Sequence, residues 1–331
     1  MKKLLTLACS FALLLFSVSD ACAAKYNLKM QTYLPASLLD LPQRFVDRVH
    51  ALTNGEVKIE LYSGGELVSS PNILKSVRSG MIDIGHGMGF HFPEMKTGPL
   101  DSGLPMSWMS PVEAEILFDR KGIFDLLKKE YEKAGVEYLG PAWSSEYLML
   151  SKKPVRSIAD MRSMKFRAMG ATGKMLANLG VAVATVPPED VYVALSTGQI
   201  DGVIYGSAYD YKETKFYEAA EWLCTTPFID PINDCLLINP KKFKAMPAHI
   251  QEAFRSAAYE ARWHAYKLCT DQSIAVKEEL FKGKMTSLSD EDVREMLKAA
   301  VKVWDDEAKR SPEMAAGVEI VKKFAKDMGR L

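Results

Sequence analysis

Residues 73–85, ILKSVRSGMIDIG, return later in the chain as VYVALSTGQIDGV over residues 191–203. Aligned on Gly80 and Gly198, both copies place an apolar residue seven positions earlier (Ile73, Val191) and three positions earlier (Val77, Leu195). Both have Ser or Thr just before the glycine, isoleucine two positions after it (Ile82, Ile200) and aspartate three after it (Asp83, Asp201). Each copy reads as an amphipathic helix, a glycine stop and a short buried strand. A chain that builds this unit twice is constrained to α/β architecture in two lobes of similar construction.

The rest of the sequence fits that frame. YNLKMQTY and VKIELY read as strands, separated by a helix over residues 39–53 with Phe45, Val49 and Leu52 on one face and Gly55 as its stop. Ser70-Pro71 and Ser110-Pro111 open further helices, and VEYLGPAW and YLMLS are strands. Residues 248–282 contain neither Gly nor Pro and carry Ile250, Phe254, Ala257, Ala261, Ala265 and Leu268 at helical spacing. A continuous helix of that length spans about 50 Å, longer than one lobe, so it is expected to run along both. The alternative is a pair of helices broken near Thr270-Asp271. Two C-terminal helices follow, opened by Ser289 and by Ser311-Pro312. The expected division is a leader over 1–23, lobe I from 24–145 plus 232–272, and lobe II from 146–231 plus 273–331.

The leader has Lys2 and Lys3, an apolar run from Leu4 to Val18, and Ala21-Cys22-Ala23 as a small-x-small cleavage site. It reads as a secretory signal peptide, too short for a membrane anchor, with lipid attachment at Cys22 as the second reading. The mature chain is expected in the bacterial periplasm, starting near Ala24. It keeps Cys224, Cys235 and Cys269. Cys224 and Cys235 flank TTPFIDPIND and could bridge in an oxidising compartment; otherwise all three are small buried apolar residues. Lys plus Arg and Asp plus Glu both number 42, which gives no basic footprint for nucleic acid.

Enzyme signatures are scarce. None of the five histidines falls in HExxH, and there is no GxSxG elbow and no P-loop. GHGMGF has Phe90 where a dinucleotide loop needs its third glycine, and Pro93 follows in place of a helix. No catalytic residue, cofactor or metal ligand is therefore assigned. The residue that calls for a partner is Arg167, within MKFRAMGATG. Met164, Phe166 and Ala168 alternate there as in a half-buried strand, and a guanidinium rarely enters such a run without an anion. Phe90, Phe92, Trp108, Trp143, Tyr147 and Tyr205 lie where strands end or loops begin. With Gln31 and Met169, all of these except Trp108 complete the expected contact set of Arg167 for a small organic anion with an apolar body.

GGELVSSPNILKSVRSGMIDIG, KPVRSIADMRSMKFRAMG, LGVAVATVPPEDVYVALSTGQIDGV and KFYEAAEWL together resemble the periplasmic solute receptors of TRAP (tripartite ATP-independent periplasmic) transporters. The resemblance covers nearly all of the mature chain. It implies two α/β lobes that close on an organic acid, and a long helix along both. It implies an arginine on the ligand carboxylate, which maps onto Arg167. It also implies delivery to TRAP-type integral membrane subunits by a monomeric receptor that is not an enzyme. Two positions depart from the family pattern. Tyr147 stands where many members have a second arginine, and Tyr205 where many have an asparagine that reaches the ligand. Two aromatic faces in place of two polar groups favour a monocarboxylate with an aromatic or apolar body. The competing functions are a periplasmic enzyme acting on a small carboxylate, or the receptor of another transporter or a sensor. Whether a metal assists is open at this level.

Overall fold

The computed structural model describes residues 24–331, apart from the side chain of Glu189; the expected signal peptide lies outside the described residues. The chain first lays down β1 (Tyr26–Thr32), β2 (Val57–Tyr62), β3 (Ile84–Gly87) and β4 (Glu137–Trp143). It then crosses to a second sheet and forms β5 (Met149–Ser151), β6 (Lys165–Arg167), β7 (Ala182–Ala184), β8 (Gly202–Ile204) and β9 (Trp222–Cys224). It crosses back for β10 (Asn233–Ile238), and β11 (Met285–Thr286) joins the second sheet. The strand orders are β2-β1-β3-β10-β4 and β11-β9-β5-β8-β6-β7. In each sheet three parallel strands meet one antiparallel strand, β10 in the first and β5 in the second. Each of those antiparallel strands follows a crossing from the other sheet.

The repeated motif occupies equivalent places in the two sheets. Gly80 and Gly198 take the left-handed conformation, φ 81° and 76°, which only glycine adopts at little cost. Asp83 donates its N–H to Lys29 O (2.9 Å), and its Oδ2 accepts the Lys29 N–H (2.8 Å). Asp201 repeats this with Lys165, at 2.7 and 2.9 Å. On the other side Asp83 O accepts from Asn239 N, and Asp201 O from Lys152 N, both at 2.8 Å. The motif's aspartates thus tie the start of a central strand to both neighbours, and their role is architectural.

Helix starts follow the expected caps. Ser110, Ser289 and Ser311 each accept the backbone N–H three residues on. Ser70-Pro71 opens a short 3-10 turn, and the α-helix begins at Ile73. On the first helix, Asp40–Leu52, Phe45 and Val49 are buried, but Leu52 sits at the terminal turn and is exposed.

The expected continuous helix is two, Ala248–Ala261 and His264–Leu280. The break falls at Arg262-Trp263 rather than near Thr270-Asp271, where Cys269 and Ser273 are buried within an intact helix. Tertiary partners explain the place. Arg262 O accepts the N–H of Trp143 (2.8 Å), the Arg262 guanidinium pairs with Asp119 (2.8 Å), and the Trp263 indole donates to Glu115. The first segment packs on β4 and on helix Asp40–Leu52; the second packs on helix Ala208–Glu213 beside the second sheet. The broken rod still lies along both lobes. A closing hairpin, Asp290–Ala308 and Pro312–Asp327, also touches both. Its first helix lies on Gly170–Asn178 and its second on Ile123–Lys133 and Gly98–Ser102.

All three cysteines are free and buried. Cys224 ends β9 in the second sheet, whereas Cys235 lies within β10 in the first and directs its thiol at Gly87 O (3.2 Å). The linking segment crosses between sheets instead of bringing neighbouring strands together, so the disulfide reading is corrected to three thiols. Burial pushes all three thiol pKa values up. The chain lacking its leader is therefore expected to show three reactive thiols when unfolded without reductant, and slow reaction when folded. A single reactive thiol in the unfolded, unreduced chain would restore the bridge. Among the described residues no helix is long and apolar enough to cross a membrane.

Candidate functional site

A cavity lies between the sheets. Its walls come from the segments that follow β1, β3, β6 and β8, the C-terminal strand ends where α/β sheets hold ligands. The first sheet contributes Tyr33, Met88, Phe90 and His91; the second contributes Arg167, Met169, Tyr205 and Asp210. The crossing segments add Ser144, Ser145, Tyr147 and Ile232. Of the expected contact set, five residues meet here: Arg167, Tyr147, Tyr205, Phe90 and Met169.

Arg167 is the last residue of β6 and is 1% exposed. Its Nε donates to Val186 O (3.1 Å) and Nη1 to Ile204 O (3.2 Å), while Nη2 contacts the Met169 thioether. The Tyr205 ring centroid lies 5.6 Å from Cζ. Of a guanidinium's five N–H groups, three are thus directed at the two carbonyls and the thioether, and the Tyr147 hydroxyl bonds with the group as well. Among the described residues no carboxylate lies within 4.0 Å of it. The backbone carbonyls and the thioether hold the group in place without neutralising it. Burial raises the Tyr147 and Tyr205 hydroxyl pKa values, opposed by the nearby Arg167 charge. Both phenols therefore stay neutral and can donate a proton to a hydrogen bond.

Three expected residues lie elsewhere. Trp143 is fully buried, edge-on to Phe118 at 4.9 Å; strand alternation sends it away from the side on which Ser144 faces the cavity. Phe92 packs beneath Gly87, where a Cβ would come within 2.7 Å of its ring. The Gln31 amide oxygen accepts from Leu67 N (2.9 Å) and Val68 N (2.8 Å), fastening the loop after β2. Trp108 is likewise in the core, donating to Pro231 O (2.7 Å).

Of the cavity residues outside the expected set, His91, Tyr33 and Asp210 bear on its chemistry. His91 stands between Phe90 (centroids 4.6 Å) and Tyr33 (5.4 Å). Burial, then the Arg167 charge, lowers its pKa to about 4, so it is neutral at pH 7. Tyr33 donates to Asp234 Oδ1 (3.0 Å), whose Oδ2 faces His86 Nε2 (3.2 Å), and His86 Nδ1 meets Thr32 Oγ1 (2.8 Å). Thr32 Oγ1 accepts the Leu34 N–H, which leaves its own proton for Nδ1. This Thr–His–Asp chain is buried outside the cavity wall and serves to aim Tyr33. Asp210 Oδ2 accepts from Ser207 N (2.6 Å), Ser207 Oγ (2.7 Å) and Ser145 Oγ (2.8 Å). Burial raises its pKa against these bonds. In sequence, SAYD signals only a helix cap, and it is one. Among the described residues no group of three or more His, Cys, Asp or Glu is placed to hold a metal ion.

Residues 37–311 match the family model described as bacterial extracellular solute-binding protein, family 7. The chain is similar to the monocarboxylate 2-oxoacid-binding periplasmic protein of Nostoc sp., 28% identical over 70% of this chain and 65% of that one, just under two thirds of its length. It is 24% identical to the 2,3-diketo-L-gulonate-binding periplasmic protein of Escherichia coli over 95% of this chain and 90% of that one. In fold it is similar to a TRAP periplasmic solute binding protein from Chromohalobacter salexigens, solved with bound (S)-(+)-2-amino-1-propanol. The TM-score is 0.84 at 22% identity, covering 92% of this chain and 96% of that one. At that identity the likeness shows the fold alone.

Proposed function

The chain belongs to the family-7 bacterial extracellular solute-binding proteins, the periplasmic solute receptors of TRAP transporters, and from that premise we propose that it captures a small monocarboxylate and hands it to TRAP-type membrane subunits. The observation that carries this reading is Arg167: a buried cation with no carboxylate partner among the described residues, in a largely apolar cavity. A carboxylate matches its guanidinium fork. The aromatic and thioether walls suit an apolar or aromatic body. The specificity named for the Nostoc relative supports a monocarboxylate. The protein acts in the periplasm as a monomer, exported by its leader. The Thr32–His86–Asp234 chain is sealed from the cavity, which favours capture over catalysis.

The two crossings, 144–148 and 225–232, act as hinges. The acid enters the open cleft and docks on Arg167, and closure brings Phe90 of the first lobe over Gly170 of the second, where a Cβ would lie 3.7 Å from the ring. The ligand shifts the balance by preferring the closed state. Native mass spectrometry of the protein purified from its exporting host is expected to show one bound organic acid. Adding that acid back to stripped protein should compact the molecule in small-angle scattering. Superimposable scattering curves at saturation would rule out a closing receptor.

A further inference from the structure

Among the described residues, the cavity wall carries two formal charges of opposite sign, Arg167 and Asp210. They do not pair with each other: no contact between them falls within 4.0 Å. Each is anchored from behind by its own lobe or hinge, Arg167 by the Val186 and Ile204 carbonyls, Asp210 by Ser207 and Ser145. Each also keeps bonding capacity unspent. On Asp210 all three donors converge on Oδ2, and that oxygen packs where a Cβ on Gly206 would lie only 2.5 Å away. The close approach turns Oδ2 into the protein and leaves Oδ1 with no donor among the described residues, on a side chain 4% exposed.

The geometry points to a dipolar ligand: a small carboxylic acid that also carries an ammonium or N–H group, its carboxylate on Arg167 and its nitrogen on Asp210 Oδ1. The inference rests on the carboxylate-receptor reading above and narrows it. A purely apolar acid would neutralise Arg167 and leave Asp210 Oδ1 facing hydrocarbon in a cleft emptied of water, a buried carboxylate oxygen without a donor. A nitrogen donor at the far end removes that deficit and, where it is an ammonium, makes the four charges sum to zero.

The test uses four acids of one ring size and the intact chain 24–331. Pipecolate, nipecotate and isonipecotate place a ring ammonium at positions 2, 3 and 4 from the carboxylate carbon; cyclohexanecarboxylate has none. In calorimetric titration at least one of the three amino acids is expected to bind about tenfold or more tightly than cyclohexanecarboxylate, the scale of a hydrogen bond to a charged group. The preferred position reports the Arg167–Asp210 spacing. In Asp210→Asn the advantage should shrink to about threefold or less, with cyclohexanecarboxylate binding more tightly than to wild type because the charge it would cover is gone. No advantage for any amino acid, including no binding by any of the four, overturns the assignment, and the wild-type comparison decides this even if the variant does not fold. An advantage that persists in Asp210→Asn overturns the role of Asp210. The underlying reading fails separately, if cyclohexanecarboxylate binds and Arg167→Met leaves its affinity unchanged.

Discussion

Replacing Arg167 by methionine is expected to weaken binding of the co-purified acid by about 30-fold to several thousand-fold. That range is what losing one member of a buried charge pair costs, about 2–5 kcal/mol, converted at about 1.4 kcal/mol per decade. Methionine keeps much of the stem and removes every donor, so the carboxylate loses its water and gains nothing in return. Arg167→Lys should also bind poorly, because a single ammonium cannot satisfy a carboxylate and the Val186 and Ile204 carbonyls at once. Those two carbonyls are orphaned in the methionine variant, so the fold should lose about 1–3 kcal/mol per unsatisfied group at most, less where water enters. Calorimetric titration of folded variant is the measurement. An affinity within about threefold of wild type would leave Arg167 as a structural residue and remove the main support for a carboxylate receptor.

The second large effect concerns the scaffold. Trp304 is fully buried on helix Asp290–Ala308, and its indole N–H donates to Pro105 O at 2.9 Å. Trp304→Ala leaves a cavity the size of an indole and an unpaired carbonyl, and is expected to lower unfolding stability by about 3–5 kcal/mol. Trp304→Phe should recover most of it, since only the hydrogen bond and part of the volume are lost. Urea denaturation reads both. The helix pair lies against elements of both lobes, so a loss under about 1 kcal/mol for the alanine variant would mean that the pair is not integral to the cooperative unit.

Much of this was legible in the residues, for identifiable reasons. The Gly80 and Gly198 stops and the aspartates after them are local devices, and local devices are written in neighbouring letters. Arg167 was legible because a cation in an apolar strand is a conflict that only an anion resolves. The aromatic residues were harder, since hydrophobicity alone does not say which way a ring points. Tyr147, Tyr205 and Phe90 reach the cavity, while Trp143 and Phe92 turn into the core by strand alternation and by packing under Gly87. The break at Arg262-Trp263 has no Gly or Pro to announce it. It comes from Trp143, Asp119 and Glu115, all distant in sequence. Asp210 and Tyr33 were missed because their partners, Ser145 and Asp234, are also distant, at separations of 65 and 201 residues.

The return of β10 to the first sheet bears on how the molecule assembles. Residues 24–143 supply β1 to β4, yet β3 and β4 do not touch: β10 lies between them. Its Cys235 sits opposite Gly87, and the pair is 148 residues apart in sequence. A chain delivered from its N-terminus must therefore hold two open sheet edges until residue 238 arrives, while the second sheet, apart from β11, has all its strands by residue 224. Non-local pairing of this kind slows folding, and waiting edges are sites for aggregation. The first sheet is therefore expected to be completed only after the strands of the second have been delivered, when β10 enters the gap between β3 and β4.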